Sequence, residues 1–420
     1  MTISPLKVFF NRKMASLLFL GIASGLPLFL TSRTLQAWMT LEKVDLKSIG
    51  LFSLVTLPYS LKFLWSPLLD RYIPPFLGRR RGWILLTQIG LTFAIALMAL
   101  QQPRQSLQLI AINAFLIAFL SASQDIACDA YRTDILEGEE EEGAGASVWV
   151  LGYRIGLLII GSLAFILADQ IPWQGVYLCL AGLMALCIIP TFLAPEQKLK
   201  TRPPSTLAKA VVLPFKEFFR RKGWLQAGII LLFIIFYRFG DGLINNMATP
   251  FLIQTGFSQA YIGTIQGGMG LLATIVGALL GGVMVTQLGI NRSLWVFGGL
   301  QALSNAAYWV LSLVGKDSTT MVLAINIENF CGGIATAGFV AFLMSLCNPR
   351  FSATQFALLS SLMAVSRDIL VAPAGAIAQQ TGWSLFFLLS IVASLPGFLL
   401  LPWFAPWNER VIPLPRPGLK

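Results

Sequence analysis

"GWLQAGIILLFIIFYRFGDGLINNMATPFLIQ" (Gly223–Gln254) carries no charge from Trp224 to Tyr237 and then admits Arg238 and Asp241 into an otherwise apolar run. A helix crosses a bilayer with about 20 predominantly apolar residues, which this stretch supplies. Comparable runs are read at roughly 14–35, 48–69, 82–101, 106–130, 145–168, 173–194, 224–248, 259–286, 293–314, 320–347, 354–379 and 383–404. Of the 420 residues, 56% are hydrophobic and 12% charged, and the mean hydropathy is +0.74. Soluble domains carry about 25% charged residues, so the solvent of this chain is lipid. The expected fold class is an all-α integral membrane protein of twelve transmembrane helices.

The connection Pro195 to Gly223 is the one long polar break, with "KEFFRRK" (Lys216–Lys222) near its end. It divides the chain into an N-terminal six-helix bundle (1–195), a linker (196–223), a C-terminal six-helix bundle (224–405) and a tail (406–420). Val211, Val212, Leu213, Phe215, Phe218 and Phe219 among the linker charges suit either a helix in the membrane interface or a solvated strap. With the amino terminus placed in the cytoplasm, 21 Lys and Arg fall on that side and 4 on the other. The positive-inside rule then puts both termini in the cytoplasm, and the net charge of +11 marks orientation rather than a nucleic-acid partner. Lys62, Arg154, Arg238 and Arg367, with Arg33 near a span end, are the cations left inside the membrane.

The two halves repeat. "DLKSIG" (Asp45–Gly50) and "SQAYIG" (Ser258–Gly263) are 213 residues apart, as are Arg154 and Arg367. An internal six-helix duplication is the mark of a large transporter class that binds its solute at the repeat interface.

"SPLLDRYIPPFLGRRRG" (Ser66–Gly82) joins the second and third spans and places Asp70 and Arg71 before one break and Arg79, Arg80 and Arg81 after it. Such a cluster can pair with helix ends in one conformation and release them in another, although the arginines alone would also serve as anchors. The loop resembles the major facilitator superfamily signature G-x-x-x-D-R-x-G-R-R, with extra residues and Ser66 in place of the first glycine. Gly282, Thr286-Gln287, Gly289 and Arg292 are a degenerate second copy. Further stretches are similar to the AmpG muropeptide permease family: Gly21–Met39, Lys62–Trp83, "SASQDIACDAYRTDIL" (Ser121–Leu136), "LGYRIG" (Leu151–Gly156), Leu271–Gly282 and Phe351–Leu362. The resemblance implies two pseudo-symmetric bundles and proton-driven import of anionic anhydro-muropeptides (GlcNAc-1,6-anhydroMurNAc with or without peptide) across the bacterial inner membrane for peptidoglycan recycling. Longer relatives of that family continue past the twelfth span.

A charge within hydrocarbon costs at least about 2.5–3.5 kcal/mol on insertion scales, so each one invites a functional reading. Asp125 and Asp129, one helical turn apart with Gln124 beside them, are the expected proton-coupling pair; the alternative is that one of them neutralises Arg154 or Arg132. Tyr237, Asp241 and Asn245 recur every fourth residue as a polar stripe suited to sugar hydroxyls, or to inter-helix hydrogen bonds. Arg33, Gln36 and Trp38 offer a cation, an amide and a ring; Trp38 equally suits an interfacial belt. Lys62, Arg154 and Arg367 are expected to meet substrate carboxylates, unless Asp368 compensates Arg367. Asn326, Glu328 and Asn329 beside "CGG" (Cys331–Gly333) suggest a kink or a second titratable site. The acidic run Glu137–Glu142 reads as solvated, or as a partner for Arg79–Arg81.

Histidine is absent, which excludes a His relay, a His metal site and a Ser-His-Asp triad. Cys128, Cys179, Cys187, Cys331 and Cys347 lack metal-ligand spacing and read as small core residues. Walker and dinucleotide motifs are missing, so the expectation is a non-enzyme with no metal and no cofactor, driven by the proton gradient and working as a monomer. Another anionic cargo, such as an acyl-CoA or a peptide, and a non-transporting membrane sensor stay open as alternatives.

Overall fold

The structure is a computed structural model that describes residues 11–136, 139–195, 216–221, 223–347 and 352–408. The described residues are largely helical, with no strand among them. Nine helical segments among them, from Arg12–Leu41 to Ala374–Trp403, are long and apolar enough to cross a bilayer, and Leu46–Leu61 is a shorter apolar one. A helix satisfies its backbone groups internally, which is what hydrocarbon demands of a lipid-facing chain. Phe93, Leu279 and Leu303 are 72%, 69% and 71% exposed, a placement that water would penalise and lipid does not. The chain is an all-α, multi-span membrane protein.

Two compact units are present, Met1–Ser205 with Leu252–Gly268 and Thr206–Phe251 with Met269–Lys420. In the first, Met14, Leu17, Leu20, Ile84, Cys128, Tyr131 and Trp149 form a buried cluster. In the second, Ile230, Phe233, Tyr237, Leu294, Phe339 and Phe342 do the same. Lipid tails are as apolar as leucine, so close backbone approach has to supply much of the cohesion. The first unit achieves it between Arg12–Leu30 and Glu139–Leu158, where a Cβ on Gly152 would stand 2.2 Å from the Leu18 carbonyl oxygen. The second achieves it between Gly270–Leu288 and Ser318–Leu346, where a Cβ on Gly277 would stand 2.1 Å from the Phe330 oxygen.

The 213-residue repeat extends to local geometry. Asp45 caps Leu46–Leu51 by accepting the Ser48 N–H, and Ser258 caps Gln259–Ile262 by accepting the Tyr261 N–H. Both turns are entered through a residue with positive φ, Lys43 at 57° and Gly256 at 94°. Both helices then leave α geometry over overlapping stretches of the repeat, as a 3-10 turn at Phe52–Thr56 and a π turn at Gly263–Met269.

Several expectations needed adjusting. The second span is broken into Leu46–Leu51, Phe52–Thr56, Leu57–Leu61, Lys62–Leu64 and Ser66–Arg71, with Pro58 and Pro67 at the starts of two pieces, where a missing N–H does least harm. Ser318–Leu346 runs unbroken through Cys331–Gly333, and Gly333 instead makes room for the Thr274 carbonyl, 2.3 Å from where its Cβ would be. Most of the linker (196–215) and Lys222 lie outside the described residues. Residues 216–221 are helical, and Phe218 is 4% exposed in the core of the second unit, held there by Gln355 donating to Glu217 at 2.6 Å. The described end of the linker is therefore docked on protein.

Candidate functional site

The first unit gathers its intramembrane charges around Leu107–Ile135. Asp125 accepts a hydrogen bond from Ser24, and its charged neighbours are Lys62 and Asp129. Asp129 meets Lys62 at 4.0 Å and Arg132 at 3.5 Å, with its side chain 48% exposed. These are loose pairs around an accessible carboxylate, and an accessible acid can exchange protons. Lys62 reaches Asp129 because the prolines break the second span around it. Trp65, one turn further, donates its indole N–H to Ser123 at 3.0 Å and packs at a tilt on Phe119.

Gln124 is fully buried, and neither end of its amide has a hydrogen-bond partner among the described residues. The side-chain amide oxygen of Gln36, Oε1, is in the same condition. Arg33 lies over the Phe29 ring at 4.8 Å. Trp38 is 1% exposed and packs on Tyr177 with ring centroids 5.2 Å apart, while the Tyr177 hydroxyl donates to the Leu30 carbonyl. Arg154 is half-buried on Glu139–Leu158 and makes no ion pair among the described residues. Arg33, Gln36 and Trp38 share the helix Arg33–Leu41, while Lys62 and Arg154 stand on other helical segments.

In the second unit a continuous network forms. Arg238 sits at the break between Trp224–Phe236 and Phe239–Gln254 and is ion-paired with Asp241, 5% exposed, while its guanidinium also donates to Thr336. Gln301 donates to Asp241 at 2.9 Å, and Asn245 donates to Asp241 at 3.1 Å and to Glu328 at 3.3 Å. Asn329 donates to Glu328 at 3.1 Å and accepts from Thr274 at 3.1 Å. Tyr237 leaves this group: its hydroxyl donates to the Leu294 carbonyl at 2.8 Å and its ring stacks on Phe339. Asn326 bonds back to the Val322 carbonyl of its own helix. Arg367 is paired with Asp368 at 2.9 Å in a π turn. Ser24, Thr274, Gln301 and Thr336 were not singled out from sequence. Gln301, an amide in the apolar run "FGGLQAL" (Phe297–Leu303), was the detectable one; hydroxyls in a span carry little signal.

Around the loop signature, Arg80 pairs with Asp134 at 3.1 Å. Arg81 donates to the Thr191 and Phe192 carbonyls, at 3.2 and 2.8 Å, and Arg12 donates to the Leu193 carbonyl at 2.8 Å. Cations at a helix C-terminus satisfy its orphan carbonyls and its dipole. Asp70 and Arg71 end the Ser66–Arg71 helix and Arg79 opens Arg79–Ala99; the side chains of Asp70 and Arg71 lie outside the described set. In the acidic run, Glu137 and Gly138 lie outside the described residues, while Glu141, within a helix that starts at Glu139, meets Lys13 at 2.8 Å. All five cysteines are free thiols.

The sequence profile of the Major Facilitator Superfamily matches residues 15–369. The chain is 52% identical over 398 residues to the anhydromuropeptide permease of Escherichia coli K12, covering 94% of this chain and 80% of that one. It is 34% identical over 415 residues to the putative transporter AmpG 4 of Rickettsia felis, covering 96% and 99%. Among solved structures, a point mutant of the peptide transporter POT in complex with alafosfalin matches with a TM-score of 0.73 at 13% identity, covering 97% of this chain and 99% of that chain. A point mutant of the nucleoside transporter NupG matches with a TM-score of 0.71 at 14% identity, covering 94% and 100%. With a continuous profile match and a relative more than half identical along nearly its whole length, the chain belongs to the major facilitator superfamily and, within it, to the anhydromuropeptide permease (AmpG) family.

Proposed function

We propose that this protein imports anhydro-muropeptides from periplasm to cytoplasm by proton-coupled alternating access, as a twelve-span monomer of the bacterial inner membrane with both termini in the cytoplasm. The observation that carries the reading is the 52% identity to the Escherichia coli permease over 94% of the chain. The halves 1–195 and 224–405 act as the two moving bundles. Asp125 and Asp129 couple the proton, a role supported by the exposed Asp129 carboxylate and its loose contacts with Lys62 and Arg132. An acid held this way releases its cation when it is protonated, and the released lysine is then free to meet a substrate carboxylate.

Substrate binding falls to Arg33, Gln36, Trp38, Lys62, Gln124 and Arg154 in the first half. In the second half it falls to Tyr237, Asp241, Asn245, Asn326, Asn329 and Arg367. The unpartnered amide atoms of Gln36 and Gln124 support this, because buried amides without partners are waiting for an acetamido or peptide group. Asp70, Arg71, Arg79, Arg80 and Arg81 form the conformational switch, supported by the grip of Arg81 on the Thr191 and Phe192 carbonyls. The reaction class is solute movement, with no chemical change to the cargo.

The test is uptake of labelled anhydro-muropeptide by cells that lack their own permease and express this chain, with and without a proton ionophore. Accumulation that collapses with the ionophore is expected. Asp125→Asn and Asp129→Asn should abolish accumulation and its pH dependence. Variants that accumulate as well as the parent would remove the coupling assignment, and no uptake by the parent would remove the substrate.

A further inference from the structure

The helical segment Trp173–Leu193 ends where two arginines converge. Arg12, at the start of Arg12–Leu30, donates to the Leu193 carbonyl at 2.8 Å. Arg81, in the first turn of Arg79–Ala99, donates to the Thr191 and Phe192 carbonyls at 3.2 and 2.8 Å. Both guanidiniums are also charged neighbours of the Tyr131 hydroxyl, which donates to the Pro195 carbonyl at 2.9 Å. The cation next to each of them in sequence is matched by an acid, Lys13 by Glu141 at 2.8 Å and Arg80 by Asp134 at 3.1 Å. Arg12 and Arg81 have no carboxylate partner among the described residues. A helix C-terminus supplies about half a negative charge, so two guanidiniums leave this end with positive charge in excess. The carbonyls they hold occupy only part of their N–H donors.

The same segment carries an apolar strip. Leu186, Ile189 and Leu193 are each more than half exposed, and their spacing sets them on one helix face. The strip ends at Leu193, whose carbonyl Arg12 holds. We propose that this end of Trp173–Leu193 binds an anionic phospholipid, with its phosphate on Arg12 and Arg81 and an acyl chain along Leu186, Ile189 and Leu193. The guanidinium fork matches the oxygens of a phosphodiester. A free phosphate would meet the arginines and leave the strip uncovered; charge and strip together fit an amphiphile. The bound phosphate would tie the starts of Arg12–Leu30 and Arg79–Ala99 to the end of Trp173–Leu193. Arg81 belongs to the proposed conformational switch, so lipid would bear on that switch, but the binding itself depends neither on it nor on the cargo.

Native mass spectrometry of the full-length protein in detergent tests this after equilibration with phosphatidylglycerol, phosphatidylcholine or inorganic phosphate. Phosphatidylglycerol should be retained more tightly than either of the others. Arg12→Gln and Arg81→Gln, which replace a guanidinium by a neutral amide, should each weaken that retention about fivefold, the equivalent of about 1 kcal/mol per arginine. Lys13→Gln removes a charge that Glu141 already matches and should leave retention unchanged. Ile189→Asn leaves every charge in place and should weaken the lipid through the strip alone. Glu196→Gln removes the acid that follows Pro195 in the sequence and should have no effect. Equal retention of phosphatidylglycerol and phosphatidylcholine would overturn the site, as would inorganic phosphate bound as tightly as the lipid. So would arginine variants that retain lipid like the parent, an equal loss in Lys13→Gln, or a gain in Glu196→Gln, which would assign the pair to the linker acid.

Discussion

Asp129 and Asp241 are both aspartates inside the helices of one membrane protein, and their surroundings differ throughout. Asp129 is half-exposed and meets Lys62 and Arg132 at 4.0 and 3.5 Å. Asp241 is 5% exposed, ion-paired with Arg238, and accepts further bonds from Gln301 and Asn245. Around Asp129 the cations stand at 3.5 and 4.0 Å; in the second unit, several helical segments are stitched through one carboxylate. A loosely held acid suits exchange, whereas a locked one presents its charge and its partners in a fixed place.

The largest effect that would break this contrast is on stability. Asp241→Ala removes the ion-pair partner of a largely buried guanidinium and should destabilise by about 3–5 kcal/mol, whereas Asp129→Ala should stay within about 1 kcal/mol. Unfolding midpoints of the two variants in the same detergent would show it, and equal losses would erase the distinction.

Next come the glycines that hold each unit together. Gly152→Ala and Gly277→Ala push a methyl group against the Leu18 and Phe330 carbonyls, and overpacking of this kind costs about 1–3 kcal/mol. Comparable losses of monodisperse protein on heating are expected from both, since both units rely on backbone contact.

Removing single hydrogen bonds should sharpen the comparison. Gln301→Leu and Ser24→Ala each delete a donor to a carboxylate within a span, an interaction worth about 0.6 kcal/mol on average. The cost in thermal stability should be larger for Gln301, because its target is buried and locked, and a larger cost for Ser24 would argue that Asp125 is the locked acid.

The smallest effect lies outside the membrane. Asp317 caps Ser318–Leu346, and the hydrogen bonds from the Thr320 hydroxyl and amide hold its carboxyl below the usual carboxylate range. A group whose folded value is depressed contributes stability that is fully present above its unfolded pKa and fades as pH falls through the folded one. Parent stability should therefore decline slightly on acidification below the ordinary Asp range, and Asp317→Asn should flatten that part of the profile.

Much of the fold was legible along the chain because a membrane protein writes its architecture in hydropathy. Apolar runs long enough to span and the 213-residue repeat are local or periodic signals. The repeat even carries its caps, Asp45 and Ser258, in plain text. The candidate site was legible as a set of residues, since any charge in an apolar run stands out, but its connections were not. Tyr237 shares the spacing of Asp241 and Asn245, yet the helix break at Arg238 sends its hydroxyl to Leu294. Asn326 and Asn329 are near neighbours in sequence, and only Asn329 bonds Glu328 and Thr274.

The sequence by itself determined that the solvent is lipid, that the chain is helical, and which few residues hold charge against the cost of burial; these follow from transfer free energies that depend on composition and span length. Which carboxylate meets a guanidinium and which meets an amide was decided only by tertiary structure. Hydrogen bonds act over about 3 Å, and residues as far apart as Asn245 and Glu328 come within that reach only when their helices have packed.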